Sequence, residues 1–151
     1  MPTPYEHDYF AWSQEQAAAL RRMAERRVNT ELDLEHLAEE IEELGGSDLR
    51  ALESDLVRII EHLLKLRYSP AQEPRRGWIL SVVEHRDRVQ ATIERSNSLA
   101  RRFPDLLPAA WRRARRLAAK GLELDGLDPG VLPDRCPWDL ETEILGEDWW
   151  P

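Results

Sequence analysis

The sequence predicts an all-α protein, an antiparallel bundle of about five main helices with a C-terminal segment rich in Pro, Gly and Trp wrapped on it. Apolar residues recur at three- and four-residue steps through most of residues 1–120, which is the period of a helix buried on one side. Asn, Gly, Ser and Pro separate these stretches, as is typical of helix ends. A chain of 151 residues suits one domain. We expect that domain to span 1–151, with the bundle over 1–120 and the wrapping segment over 121–151.

The first helix is predicted over residues 4–27. Thr3, Pro4 and Glu6 have the spacing of an N-cap, a first-turn proline and a capping box. Arginines near residue 27 suit the negative end of the helix dipole. The face expected to pack inward consists of Tyr5, Tyr9, Trp12, Gln16, Ala19, Leu20 and Met23.

A second helix over 30–45 and a third over 47–68 are predicted as separate elements. Gly45-Gly46 has the composition of a left-handed C-cap, and Ser47 can begin a new helix. The apolar stripe of the second helix consists of Leu34, Leu37, Ala38, Ile41 and Leu44. That of the third has heptad-like spacing, which favours shallow-angle packing in a bundle, and consists of Leu49, Leu52, Leu56, Ile59, Leu63 and Leu66.

Two further helices are predicted over about 75–96 and 105–120, after a loop at 69–74 that holds two prolines. Residues 99–103 are expected to form a short helix or turn, and Gly121 to end the last helix. Beyond it, the sequence offers one short helical candidate at 139–145. The Leu, Val and Trp residues of this segment would form an exposed apolar surface unless the segment packs on the bundle.

Composition argues against several classes of protein. A single cysteine, Cys136, cannot build a disulfide framework or a zinc site of several thiolates, which favours a reducing cytoplasm. No apolar run approaches the roughly 20 residues of a membrane span, and the N-terminus is too acidic and polar for a signal peptide. We therefore expect a cytoplasmic protein that does not contact a membrane.

The net charge of −8 is distributed in blocks. Residues 31–61 hold eleven acidic and two basic residues, for a net of −9, whereas residues 62–120 hold five acidic and fourteen basic residues, for a net of +9. Residues 121–151 hold nine acidic residues and one basic residue, for a net of −8. The pattern predicts that the acidic blocks fold onto the basic one.

Established catalytic motifs are absent from the sequence, among them phosphate-binding loops, nucleophile elbows and His-Glu-x-x-His. The Glu-His pairs at 35–36, 61–62 and 84–85 are adjacent, so their side chains point about 100° apart, unlike the Glu-x-x-His of di-iron bundles. The favoured interpretation is therefore structural histidines and no cofactor. An alternative metal site uses Glu40, His62 and His85.

Arg86 lies between Val82 and Val89, in the middle of an apolar helix face. Because a buried charge without a partner is costly, we predict that Arg86 pairs with a glutamate of the second helix. The candidate site, or buried ion-pair network, therefore consists of Glu39, Glu40, Glu43, His62, His85 and Arg86.

The fifth helix carries a basic run at 112–116 that raises the possibility of nucleic-acid binding. The acidic overall charge and the acidic segment that follows argue against it, because that segment would screen or occupy the arginines. The glutamate run at 39–43 is interpreted as a solvated helix face, with a surface for a basic partner or an internal arginine as the alternative.

Several motifs taken together resemble family twenty-nine of the bacterial domains of unknown function. They are YEHDYFAW at 5–12, LDLEHLAEEIEELG at 32–45, HLLKLRY at 62–68, CPWDLETEILGEDWWP at 136–151, and Arg75, Arg76, Trp78, Arg86, Ser98 and Leu99. Leu66 stands where the pattern leads us to expect tryptophan, and His36 where it leads us to expect asparagine. The resemblance implies an all-helical bacterial domain without an established activity, and it directs attention to Trp12, Glu39, Glu40, His62, Arg86 and the closing tryptophans.

The sequence favours a non-enzymatic interaction module that self-associates. Amphipathic helices with several tryptophans readily supply contact surface, and a homodimer is the commonest oligomer. Another protein partner is compatible with the same surface. The alternatives are a small helical enzyme or metal protein using the Glu and His cluster, and a nucleic-acid-binding protein using the fifth helix.

Overall fold

The computed structural model describes residues 3–151, and its regular elements there are all helical, which confirms the all-α fold. The five α-helices are α1 Tyr9–Glu25, α2 Leu34–Tyr68, α3 Arg75–Glu94, α4 Asn97–Arg102 and α5 Leu107–Leu124. Three short elements accompany them: 3₁₀ turns at Phe103–Leu106 and Pro129–Val131, and a π-helical turn at Leu140–Ile144. No helix within residues 3–151 is both long and apolar enough to cross a membrane.

The chain forms two compact units. The first unit contains residues up to 51 together with 92–102, and the second unit contains 52–91 together with 103–151. Two unit boundaries fall inside α2 and α3, and the third lies between α4 and the 3₁₀ turn at Phe103–Leu106. The expectation of one domain over 1–151 stays a prediction.

The start of α1 differs from the prediction. Asp8 is the N-cap, and its Oδ1 accepts a hydrogen bond of 3.0 Å from the backbone N–H of Ala11. Thr3 does not cap the helix, because the helix begins at Tyr9; the backbone N–H and the hydroxyl of Thr3 both donate to the Glu15 carboxylate at 2.7 Å. The buried residues of α1 are Phe10, Ser13 and Ala17, whereas Tyr5 of the expected inward face is exposed.

The predicted break at Gly45-Gly46 was wrong, since α2 continues through it as one helix. A Cβ atom at Gly45 would lie 2.1 Å from Ser13 Oγ, so the glycine allows α1 to approach α2 closely. Gly in a helix interior is unfavourable by about 1 kcal/mol relative to Ala. The close packing of α1 on α2 offsets this unfavourable free energy. Gly45 therefore allows contact between two helices and does not end a helix.

The later helices also depart from the predicted ends. Residues 97–102 form the helix α4, whose first turn is capped by Ser96 Oγ, which accepts from Leu99 N–H at 3.2 Å. Helix α5 continues past Gly121, where a Cβ atom would lie 2.9 Å from Lys65 Cε. It ends at Leu124, and the φ of 75° at Gly126 and the hydrogen bond from Leu127 N–H to Leu122 O complete a left-handed C-cap.

Each unit has its own buried apolar residues. In the first unit they include Phe10, Ala17, Leu34, Ala38 and Leu99. In the second unit, the predicted apolar residues of α2 are buried from residue 52 to residue 66, as are residues of α3, α5 and the C-terminal segment. The fully buried apolar side chains of the second unit include Leu52, Leu56, Ile59, Leu63, Val82, Val89, Leu122 and Ile144.

Candidate functional site

The six candidate residues divide between the two units. Glu39, Glu40 and Glu43 belong to the first unit, and His62, His85 and Arg86 belong to the second. We therefore describe the two sets separately.

Glu39, Glu40 and Glu43 lie on an exposed face of α2. Glu43 pairs with Arg50, and the neighbouring Glu42 accepts from Arg21 at 2.6 Å. Glu39 and Glu40 are exposed. This arrangement agrees with the interpretation of residues 39–43 as a solvated face.

The predicted ion pair of Arg86 was wrong, although the side chain is buried as expected and only 8% exposed. Its Nε donates to Ile144 O at 2.8 Å, and its Nη2 donates to Glu143 O and Trp149 O, each at 3.1 Å. The guanidinium also lies over the ring of Trp150, with 4.9 Å between Cζ and the ring centroid. Backbone carbonyls near a helical C-terminus carry partial negative charge, so they can replace a carboxylate as partners of the cation. Burial lowers the pKa of Arg86.

Arg86 thereby holds the C-terminal segment in its unit. Asp139 caps the π-helical turn by accepting from the backbone N–H of Thr142 at 2.8 Å, and the turn ends beside the carbonyls that Arg86 binds. Gly146 follows, and a Cβ atom there would lie 2.2 Å from Thr142 O. The rings of Trp138 and Trp149 meet edge to face, with centroids 5.6 Å apart. These contacts connect residues of the C-terminal segment to one another and to Arg86.

A second anchor involves α5. Arg115 Nε donates to Pro133 O at 2.7 Å, and Trp111 Nε1 donates to Asp134 O at 3.4 Å. The C-terminal segment therefore packs on helices of the basic block, as its charge predicts, but it does so mainly through backbone carbonyls. The Asp134 carboxylate is 3.5 Å from Arg115 and 98% exposed, so this ion pair contributes little.

The two histidines of the second unit have different surroundings. His85 Nδ1 lies 2.8 Å from Asp55 Oδ1, with both side chains largely buried. His62 Nδ1 is buried and has no hydrogen-bond partner among residues 3–151, and burial lowers the pKa of His62. Within the described chain, no group of three His, Cys, Asp or Glu side chains is placed to hold a metal. The alternative set of Glu40, His62 and His85 stays a prediction.

Sequence reasoning missed a buried carboxylate at Asp8 in the first unit. Its oxygens accept from Ser96 Oγ at 2.6 Å and from both the backbone N–H and Oγ of Ser98 at 2.8 Å, besides the bond from Ala11. Burial alone would raise the pKa of Asp8, but these hydrogen bonds outweigh it and the pKa lies below its ordinary value. The sequence could have indicated this cap, because Asp8 lies directly before residues whose apolar side chains recur with the period of a helix.

A second missed residue is Glu61, which is 5% exposed in the second unit. Arg58 and Lys65 donate to its two oxygens at 2.9 and 3.1 Å. The i−3 and i+4 spacings of these partners on one helix could have indicated the cluster. The buried carboxylate of Glu61 is thus paired with the two cations Arg58 and Lys65.

Fold and site define an all-helical protein whose C-terminal segment is fixed by arginine-to-carbonyl contacts. The model of the family described as "Domain of unknown function DUF29" matches residues 4–150, nearly the whole chain, and the chain belongs to that family. Its structure is similar to the crystal structure of an alpha-helical protein of unknown function from Rhodospirillum rubrum, with 31% identity and a TM-score of 0.80 over 97% of this chain and 92% of that one. No curated protein matches the chain.

Proposed function

We propose that this protein is a non-enzymatic helical interaction module that forms a homodimer through an exposed apolar face of α2. We call that face the α2 stripe, and it consists of Leu37, Ile41 and Leu44. The observation that carries the proposal is the exposure of Leu37 and Leu44, which are 37% and 52% exposed.

The α2 stripe is one half of the apolar pattern of this helix. Leu34 and Ala38, the other half, are 7% and 0% exposed and pack inside the first unit. The stripe itself has spacings of four and three, which are those of a helix seam that packs on another helix. Val28 and Leu32, just before the helix, are 42% and 59% exposed. Single exposed apolar residues are ordinary, but several on one helix face mark a contact surface.

A second copy of the chain is the occupant that the stripe suits best. A two-fold axis near Ile41 would bring the same apolar residues of two helices together, as isologous interfaces do. Full burial of a Leu side chain contributes roughly 1.5–3 kcal/mol, so the stripe can supply a large part of the free energy of a weak dimer.

The experiment is sedimentation equilibrium over a range of micromolar concentrations. We expect a reversible monomer–dimer equilibrium for the unmodified protein. Leu44→Glu should weaken dimerisation about tenfold or more, because it places a charge in the apolar seam. Leu124→Glu is the matched control, since Leu124 is 77% exposed on α5 and lies outside the stripe.

Two outcomes would contradict the proposal. One is a protein that stays monomeric up to roughly 100 micromolar, where even weak specific dimers assemble. The other is an equal loss of dimer from Leu44→Glu and Leu124→Glu, which would place the interface elsewhere.

A further inference from the structure

A cleft of ≈ 410 Å³ lies in the second unit, between α3 and the C-terminal segment. It is lined by Val83, Glu84, Arg86, Asp87, Gln90, Leu145 and Glu147. We call it the α3 cleft. Its volume is within the range of roughly 300–1,000 Å³ that is usual for binding sites.

The α3 cleft continues into an exposed apolar surface of the same helix. Val83 is 49% exposed, and Ile79 and Leu80, one turn earlier, are 39% and 59% exposed. Because residues three and four apart share a helix face, these three side chains and the cleft form one strip along α3. A strip of this kind suits a helix that lies alongside α3.

The polar lining of the cleft is acidic. Asp87 and Glu147 are exposed and have no ion-pair partner among residues 3–151, whereas Glu84 accepts from Arg88 at 2.8 Å. The hydrogen bonds of Arg86 go to backbone carbonyls, so Arg86 does not neutralise Asp87 or Glu147. The lining therefore favours a cationic occupant.

The side chain of Arg86 places a second requirement on the occupant of the cleft. This side chain is more than nine-tenths buried, and its Nη1 has no hydrogen-bond partner among the residues that the structure describes. A buried donor without a hydrogen-bond partner is unfavourable. The last carbonyls of a helix lack partners within that helix and are stabilised by a nearby cation, so they match this donor.

We propose that the α3 cleft binds a basic amphipathic helix of a partner protein. Apolar side chains of that helix pack on Ile79, Leu80 and Val83, and its Lys or Arg side chains pair with Asp87 and Glu147. Its C-terminal turn points toward Arg86. This site is separate from the α2 stripe and does not depend on dimerisation.

Fluorescence anisotropy can test the cleft with a labelled synthetic helix made of Lys and Leu in an amphipathic pattern. We expect saturable binding that a Glu and Leu counterpart does not show. Asp87→Lys should weaken binding about tenfold or more at low salt, because it reverses a charge at the contact. Val83→Ser should weaken it about fivefold with little dependence on salt, because it removes apolar contact.

Asp105→Lys is the matched control, because it makes the same charge change at an exposed position outside the cleft. It should change the affinity by less than about twofold. Equal losses from Asp87→Lys and Asp105→Lys would show general attraction to an acidic protein and overturn the site, as would the absence of saturable binding.

Displacement of the probe by excess unlabelled Leu44→Glu protein would identify a second copy of the chain as the occupant and overturn the proposal of a partner protein. Because that variant is impaired at the α2 stripe, a failure of either interface can be told from a failure of the other.

Discussion

At the scale of single residues, Asp8 connects two helix starts. Its carboxylate caps α1 through Ala11 and also binds Ser96 and Ser98 at the start of α4. One buried group thus satisfies donors of two helices that would otherwise lack partners. We expect the packing of α4 on α1 to depend on this carboxylate.

Asp8→Asn should lower the free energy of unfolding at pH 7 by about 2 kcal/mol, as is typical of hydrogen bonds to a charged group. The pKa of Asp8 is lowered in the folded state, so the unfolded state binds its proton more readily. The contribution is therefore complete above about pH 5 and is lost as the pH falls below about 4. Urea unfolding across this range should show a weaker acid-induced loss of stability in Asp8→Asn than in the unmodified protein. Asp105→Asn, at an exposed position, should leave the profile unchanged.

His62 should affect stability in a different pH range. Burial lowers its pKa, so the folded state favours the neutral ring and the unfolded state takes up the proton first. The free energy of unfolding should therefore fall as the pH drops below about 6.5, by about 1 kcal/mol for each pH unit until the folded-state pKa is reached. His62→Gln should remove this part of the pH dependence, whereas His7→Gln, at an exposed residue, should retain it. An unchanged slope in His62→Gln would contradict the assignment.

At the scale of elements, the C-terminal segment depends on two arginines that belong to helices. Arg86 of α3 binds carbonyls near its end, and Arg115 of α5 binds Pro133 O near its middle. The guanidinium holds its five donors in a wide, fixed and planar fork, whereas the three donors of an ammonium radiate from one atom and span a shorter distance. The segment therefore needs arginine, and not merely positive charge, at these positions.

Arg86→Lys should loosen residues 139–150 while the helices remain folded. We expect amide hydrogen exchange in that segment to accelerate about tenfold or more, because carbonyls of Glu143, Ile144 and Trp149 lose donors. Arg88→Lys makes the same change at a half-exposed position of α3 and should leave exchange unchanged. Equal acceleration in the two variants would show that the carbonyl contacts do not hold the segment.

Helix periodicity could be read from the sequence, whereas helix ends that depend on tertiary contact could not. The buried apolar residues of α2 from Leu52 to Leu66 have the predicted spacing, because a helix that buries one face repeats its apolar residues every three or four positions. Gly45 was interpreted as a helix end because a C-cap and a close helix contact both need glycine. The two roles of a glycine are distinguished by the presence of Ser13 of α1 next to Gly45, and the local sequence does not reveal this contact. The partner of Arg86 was missed for a similar reason, since any residue can supply a carbonyl.

At the scale of the whole molecule, the blocks of charge give the clearest guide to association. Residues 31–61, which contain the α2 stripe, have a net charge of −9, and residues 62–120 have a net charge of +9. The sequence indicated that the C-terminal segment would meet basic helices, and Arg86 and Arg115 bear this out through carbonyls. Carboxylates of the acidic blocks without an internal cation within residues 3–151, among them Glu147, can therefore influence contacts with other molecules.

Contact between two copies of the α2 stripe would bring together two segments that each have a net charge of −9. Salt should therefore strengthen dimerisation, and we expect the dimer dissociation constant to fall about threefold to tenfold between roughly 20 and 300 mM NaCl. Glu40→Gln, beside the stripe, should reduce the salt dependence, whereas Glu123→Gln on α5 should not. Sedimentation equilibrium measures all of these changes. Binding of the cationic probe at the α3 cleft should respond in the opposite direction, because salt screens its attraction to Asp87 and Glu147. A dimer that weakens as salt rises would instead have an interface of opposite charges, and would assign self-association to the basic block.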